Sequence, residues 1–368
     1  MSRTKRLFYL AIGILIPFMF ALLVLELIFG SWFNEDKWLE TRSINIIRDA
    51  QINYDAENIY GKDSPSVIYT RDKNGLRGSC KNPKEIDILS IGGSTTDQRY
   101  VPDGQTYQDF LQSLLSQQYG KQICVSNAGI DGHSSFGHLE SFKVWFPLIE
   151  GLKPKYFLFY VGINDAGFRT QPIAGVDLSK EYNESTIRNK LRKKSAIYNL
   201  PRNLHKIAEG INGTRAYAMH SKRIPSDSDY IATKKSNSTE VQIAKNAEAF
   251  KNRFWNLILQ TRSYNAKPIC VSQPHLFTKN IKGTKKGVEK VFEYEGVSYN
   301  GLDYDASISE LNKIMMRLCL EGDGYFIDIA SKKFEVGDFY DSIHMTKSGT
   351  KRLGTYMYDE FVSQKIKI

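Results

Sequence analysis

Ile86-Asp87-Ile88-Leu89-Ser90-Ile91-Gly92-Gly93-Ser94-Thr95-Thr96 is the stretch on which the reading of this chain turns. A short run of β-branched and aliphatic residues has the pattern of a strand buried on both faces. Two glycines follow and permit a sharp turn. A serine then stands at a strand-to-helix junction, where backbone amides can meet negative charge. The same turn does not fit a phosphate loop, because no Gly-Lys-Ser/Thr follows at the required spacing.

Four further runs repeat the strand pattern. They are Gln122-Ile123-Cys124-Val125-Ser126, Tyr156-Phe157-Leu158-Phe159-Tyr160-Val161, Lys267-Pro268-Ile269-Cys270-Val271-Ser272 and Tyr325-Phe326-Ile327-Asp328-Ile329. Helical spacing separates them: Phe110, Leu111, Leu114 and Leu115, then Ala244, Ala247, Phe250, Phe254, Leu257 and Ile258, then the stretch from Ile308 to Leu320. Strands alternating with helices predict an α/β domain, a parallel sheet with helices on both faces. Such sheets carry their sites at the strand carboxyl ends.

Three more motifs fall at those ends. Asn127-Ala128-Gly129-Ile130-Asp131-Gly132 follows the second strand, and its glycine amide can face an oxyanion; the plainer reading is a strand-end loop. Val161-Gly162-Ile163-Asn164-Asp165 follows the third strand and offers the Asn164 amide as a donor; the alternative is an Asx turn. Asp341-Ser342-Ile343-His344 follows the fifth strand, just before Thr346, a suitable N-cap for a helix running to about Phe361. A carboxylate three residues before a histidine can hold Nδ1 and leave Nε2 to take a serine proton. Each motif alone is common. Together they supply a nucleophile, three oxyanion donors, a base and its orienter.

On these residues the chain resembles the SGNH (GDSL-like) hydrolases, and among them a bacterial membrane-anchored member. The family's Ser, Gly, Asn and His fall on Ser94 in GGSTT, Gly132 in NAGIDG, Asn164 in VGIND and His344 in DSIH. Asp341 matches the acid three residues before the histidine. Asn74-Gly75-Leu76-Arg77-Gly78 looks like the stretch that precedes the nucleophile in many bacterial members. Gly93 departs from the GDS form, which has Asp there. The resemblance runs over roughly Ile86 to Tyr358. It implies a three-layer, flavodoxin-like fold with a five-stranded parallel sheet. It further implies ester hydrolysis through an acyl-enzyme, with Ser94, Asp341 and His344 as triad and no metal or cofactor. Lipids, thioesters and acetylated sugars are all substrates within the family.

The N-terminus carries a different signal. Leu7 to Phe29 is apolar except for Glu26. A bilayer core of about 30 Å needs about 20 apolar helical residues. Arg3, Lys5 and Arg6 precede the run and Glu35 and Asp36 follow it, so the positive-inside rule places the N-terminus in the cytosol and the rest outside. The run is long for a cleaved signal peptide, and no small-residue cleavage site follows. The expected organisation is a tail and signal anchor over 1–30, then 31–64 as a stem or first layer with a helix around Lys37 to Ile52. A catalytic domain over 65–368 follows, with an irregular insertion at about 166–240. That insertion either shapes a substrate cleft or is a plain surface excursion.

The 368 residues carry 50 Lys and Arg against 40 Asp and Glu, a net charge of +10. These cations are scattered in short groups with no zinc-ligand spacing or RNA-binding motif, which argues against nucleic acid. A solvated surface or attraction to an anionic lipid or polysaccharide accounts for them. Cys80, Cys124, Cys270 and Cys319 form no C-x-x-C pair. The compartment permits disulfides, while the apolar runs around Cys124 and Cys270 suit buried free thiols, so pairing stays open. His133 and His138 have no acid at useful spacing, and His275 reads as a structural residue or a cleft wall. Asn183, Asn212 and Asn237 head glycosylation sequons.

The expected activity is removal of a short acyl group, foremost acetyl, from a cell-surface carbohydrate. Acyl transfer to a glycan with a partner donor uses the same triad. A non-catalytic glycan-binding or assembly protein of this fold is the alternative of another class, and the four intact hallmark positions argue against it.

Overall fold

The computed structural model describes residues 3–33, 37–62, 64, 66–168, 187, 191, 194–201, 204, 215–217 and 222–368. The chain forms two compact units, Met1–Ser43 with Tyr182–Thr214, and Ile44–Glu181 with Arg215–Ile368.

In the smaller unit, helix α1 spans Arg3–Phe29. Its Ile12–Phe29 part is long and apolar enough to cross a membrane. A 3₁₀ helix occupies Lys37–Ile44.

The larger unit opens with β1 (Ala50–Asp55), the one-turn α2 (Glu57–Tyr60) and β2 (Val67–Arg71). β1 and β2 pair antiparallel, so the stretch expected as a stem or first layer contributes, from Ile44 on, to the larger unit. The helix expected over Lys37 to Ile52 is instead the 3₁₀ turn followed by this strand. Ile52 and Tyr54 alternate with polar residues, and pairing with β2 overrides a weak helical pattern.

Next come β3 (Ile88–Gly92), the one-turn α3 (Ser94–Asp97), α4 (Tyr107–Tyr119), β4 (Val125–Asn127), α5 (Ser135–Glu140) and β5 (Tyr156–Tyr160). β6 (Arg215–Tyr217) runs parallel to β1 in the small outer sheet. α6 (Thr239–Ser263), β7 (Lys267–Val271), the hairpins β8–β9 (Thr278–Ile281, Thr284–Gly287) and β10–β11 (Phe292–Tyr294, Val297–Tyr299), α7 (Gly301–Glu321), β12 (Tyr325–Ile327) and α8 (Lys347–Ser363) complete the unit.

The central sheet has the order β12-β7-β5-β3-β4 and is parallel throughout. The five strands read from the sequence are its five members. β3 lies between β4 and β5, so the chain reverses direction across the sheet there, and ligand sites form outside the strand ends at such a point.

Sequence explains the layers. Along β5, Tyr156, Leu158 and Tyr160 point to the face covered by Leu111 and Leu115 of α4 and Leu353, Met357 and Phe361 of α8. Phe157 and Phe159 alternate to the other face, where Phe159 meets Phe254 of α6 at 5.8 Å and Phe157 meets Phe142 at 5.0 Å. Each such ring contributes about 1.5–3 kcal/mol on burial. Capping sets the helix starts. Thr106 and Asp109 form a capping box on α4, Asn300 and Asp303 one on α7, and Thr346 caps α8 as its sequence suggests.

All four cysteines pair, Cys80 with Cys124 and Cys270 with Cys319. The first bond ties the chain ahead of β3 to the start of β4, and the second ties β7 to α7. Free buried thiols, the other reading open from sequence, are not found. Of the insertion expected over about 166–240, Asn183, Asn212 and most of the region around Ser195 to Ile211 lie outside the described residues. Its described part beyond Arg215 belongs to the larger unit.

Candidate active site

β3 ends on Gly92, and a side chain there would run into the Tyr160 carbonyl and the Thr96 side chain. Gly93 caps α3, its carbonyl accepting from Asp97 N at 2.9 Å, and Ser94 begins the turn half-buried. Thr95 Oγ1 donates to Gln273 Oε1 at 2.9 Å, which ties this turn to the loop after β7.

His344 Nε2 lies 2.7 Å from Ser94 Oγ, and Nδ1 lies 2.7 Å from Asp341 Oδ2. A carboxylate only accepts, so the proton sits on Nδ1 and Nε2 is the acceptor facing the serine hydroxyl. The other carboxylate oxygen accepts from Ile343 N at 2.9 Å and His344 N at 2.7 Å. Asp341 thereby closes its own turn and fixes the imidazole. Tyr340 stacks on the ring with centroids 5.5 Å apart and planes 7° from parallel. Leu276 N holds the loop from the β7 side by donating to Ser342 O at 2.8 Å.

The neighbouring strand ends carry the other two candidate residues, Gly132 and Asn164. Ile130 to His133 is a turn closed by His133 N donating to Ile130 O at 3.1 Å, with Gly132 at φ +76°, the left-handed conformation its third position demands. Ile130 N also bonds Gly92 O at 3.0 Å, joining this turn to β3. Asn164 forms no Asx turn. Its Nδ2 donates to His133 O at 2.9 Å across the strand ends and keeps a second hydrogen. A Cβ on Gly93 would stand 2.6 Å from that nitrogen and 2.9 Å from His133 O. The missing side chain at Gly93 thus leaves the room that the Asn164 amide occupies next to it. Ser94, Asp341 and His344 are joined by hydrogen bonds, Asn164 packs at Gly93, and Gly132 adjoins the carbonyl that holds Asn164.

A buried charge network, not foreseen from sequence, locks these loops. Arg71, at the end of β2, donates to Asp97 Oδ1 and Gly129 O, each at 2.5 Å, and also to Asn127 O at 3.1 Å. Arg77 donates to Asp97 O at 2.7 Å, Gln98 O at 2.8 Å and Val101 O at 2.5 Å. Arg99 bridges Asp97 at 3.3 Å and Asp131, beside Gly132, at 3.2 Å. Burial by itself raises the Asp97 pKa, but Arg71, Arg99 and Arg77 together with the Tyr69 hydroxyl hold it below the usual carboxylate range. The sequence signal was a lone arginine closing the β-patterned Val67-Ile68-Tyr69-Thr70-Arg71, beside the NGLRG motif.

Asp165 fixes the loop after β5. It accepts from Ser135 Oγ at 2.6 Å and pairs with Arg253 at 3.3 Å, and the guanidinium lies 4.0 Å over the Phe136 ring. Burial raises its pKa against those partners. His133 Nε2 meets Ile44 O at 2.9 Å, and burial holds this imidazole down at about 4. His138, 5.9 Å away, is also held well below its ordinary value by burial. His275 pairs with Asp305 at 3.4 Å and accepts from Phe277 N. It lines a cavity of about 390 Å³ with Gln273 and Asn312.

No protein-family model and no curated protein sequence matches the chain. Among solved structures, it is similar to a catalytic mutant of Axe2, an acetylxylan esterase from Geobacillus stearothermophilus, at 13% identity and a TM-score of 0.42 over 77% of this chain and 94% of that one. LAE5, an alpha/beta hydrolase enzyme from the metagenome of Lake Arreo, Spain, is similar at 13% identity and a TM-score of 0.40 over 74% and 93%. TesA is similar at 11% identity and a TM-score of 0.37 over 74% and 97%.

Proposed function

We propose that this chain is a membrane-anchored serine esterase of the SGNH type. In this reading it removes a short acyl group, foremost acetyl, from a cell-surface carbohydrate. The observation that carries the reading is the chain of two 2.7 Å bonds from Ser94 Oγ through His344 to Asp341.

Ser94 attacks the ester carbonyl while His344 Nε2 takes its proton. Asp341 stabilises the imidazolium that forms and keeps its orientation. The Ser94 and Gly132 amides and the second hydrogen of Asn164 Nδ2 take the developing oxyanion. His344 then returns the proton to the leaving alcohol. Water, activated by the same imidazole, hydrolyses the acyl-enzyme. Helix α1 holds the domain at the membrane, and the two disulfides fit an extracytoplasmic compartment. A domain so placed meets glycans under assembly or modification.

A fluorophosphonate probe labels the full-length wild type in detergent and leaves Ser94→Ala unlabelled. Equal labelling of both removes the assignment. Acetylated glycans turn over faster than long-chain p-nitrophenyl esters, and the reverse preference discards the carbohydrate substrate. A reporter active only outside the cytoplasm, fused after Ile368, is active. A signal from a cytosol-only reporter at that point overturns the orientation.

A further inference from the structure

We infer that residues 196–201 and 204 belong to an interfacial helix, lying in the headgroup layer of the same bilayer that α1 crosses. The inference rests on the membrane reading of α1.

The first observation is where this stretch attaches. Ser31 N donates to Lys194 O at 2.7 Å, and Ile197 N donates to Glu26 Oε2 at 2.9 Å. Glu26 also accepts from Trp32 Nε1 at 2.6 Å. All of these partners stand at the C-terminal end of the apolar span. The one acid of that span is therefore used to bind the start of a second helix at the level where the hydrocarbon ends. Trp32 and the 84%-exposed Phe33 lie at the same level, as aromatic residues do at a membrane–water boundary.

The second observation is the polarity of the helix itself. Residues 196–201 and 204 are helical, with Ser195 Oγ accepting from Tyr198 N at 3.0 Å as an N-cap. Ser195 and Asn199 are buried, and Asn199 Nδ2 donates to Ser195 O at 2.7 Å. Ile197, Leu200 and Leu204 are exposed by 36%, 50% and 54%. At about 100° per residue, Ile197, Leu200 and Leu204 fall on one side and Ser195 and Asn199 on the opposite side. A helix on a soluble surface has the reverse arrangement, apolar side in and polar side out. An apolar stripe facing outward next to the end of a membrane span fits acyl chains and headgroups.

The third observation is charge. Arg188, Lys190, Arg192, Lys193 and Lys194 precede the helix in sequence and complement anionic headgroups. Span, stripe and cations together make a second attachment to the bilayer, which fixes the rotation of the anchor about its axis.

The test uses the full chain in vesicles of phosphatidylcholine and phosphatidylglycerol. Nitroxides are placed singly at Leu200→Cys, Leu204→Cys and, within the span, Leu15→Cys. Power-saturation EPR then compares collision with oxygen and with a water-soluble nickel complex. Oxygen collisions exceeding nickel collisions at 200 and 204, at a shallower depth than at 15, are expected. Nickel-dominated collisions at 200 and 204 with a lipid-exposed label at 15 overturn the interfacial helix and leave the anchor standing. Labels at 200 and 204 reached by neither reagent overturn it as well, since the stripe is then covered by protein. A nickel-accessible label at 15 overturns the membrane reading itself.

Discussion

Gly93→Ala tests whether the Asn164 amide belongs to the reaction. The backbone at Gly93 has φ −86°, so alanine meets no left-handed penalty. Its Cβ would instead stand 2.6 Å from Asn164 Nδ2 and 2.9 Å from His133 O. Ordinary contact between such atoms is about 3.5–4.0 Å, so the amide has to move by about 1 Å. The nitrogen is the free end of a side chain and can swing aside, whereas the His133 carbonyl is backbone and gives less. The fold then loses one hydrogen bond, about 1 kcal/mol, and has in addition to relieve the contact with the His133 carbonyl. The reaction loses an oxyanion donor, about 10²–10³ in kcat or roughly 3–4 kcal/mol, because that charge exists only in the transition state. Hydrolysis of p-nitrophenyl acetate with a thermal melt as control separates the two costs. A large fall in kcat is expected, with KM nearly constant and melting lowered moderately. Asn164→Ala is expected to match it, and the double variant to be no worse than either single one, since both remove the same donor. A folded Gly93→Ala enzyme with wild-type kcat, or losses that multiply in the double variant, refutes the reasoning.

His344→Ala lowers kcat by several orders of magnitude and Asp341→Asn by less, read by single-turnover acylation, because the base acts on the proton and the acid only orients it. Arg71→Met leaves Asp97 buried without its 2.5 Å partner and costs about 3–5 kcal/mol, read by chemical denaturation, and adding Asp97→Asn recovers part of that loss. The folded-state pKa of His133, about 4, lies below the ordinary 6.5, so its contribution is fully present above 6.5 and is lost as pH falls towards 4. That drop is about 3 kcal/mol, with His138 titrating in the same direction, and melting of His133→Gln has a flatter pH dependence over that range. Cys270→Ser with Cys319→Ser costs about 2–5 kcal/mol in denaturant unfolding.

The five core strands, the helices between them and the apolar span are legible along the chain, and its motifs mark Ser94, Gly132, Asn164, Asp341 and His344 as candidates. Burial leaves a local trace: a strand covered on both faces is a short apolar run, and a helix over a sheet repeats at its own period. Turn glycines and caps mark where such runs stop. Which groups those residues meet depends on contacts between segments far apart in the chain. Nothing within β2 says that Arg71 faces Asp97, 26 residues on, and Gly129, 58 residues on. The order β12-β7-β5-β3-β4 places three strand ends side by side, and the disulfides link cysteines 44 and 49 residues apart. Residues 50–52, at the end of the helix expected over Lys37 to Ile52, join a strand partner instead, and Asn164 bonds another loop rather than its own turn. In each case the deciding contact lies far off in the chain, and its energy exists only once the sheet has brought the two segments together.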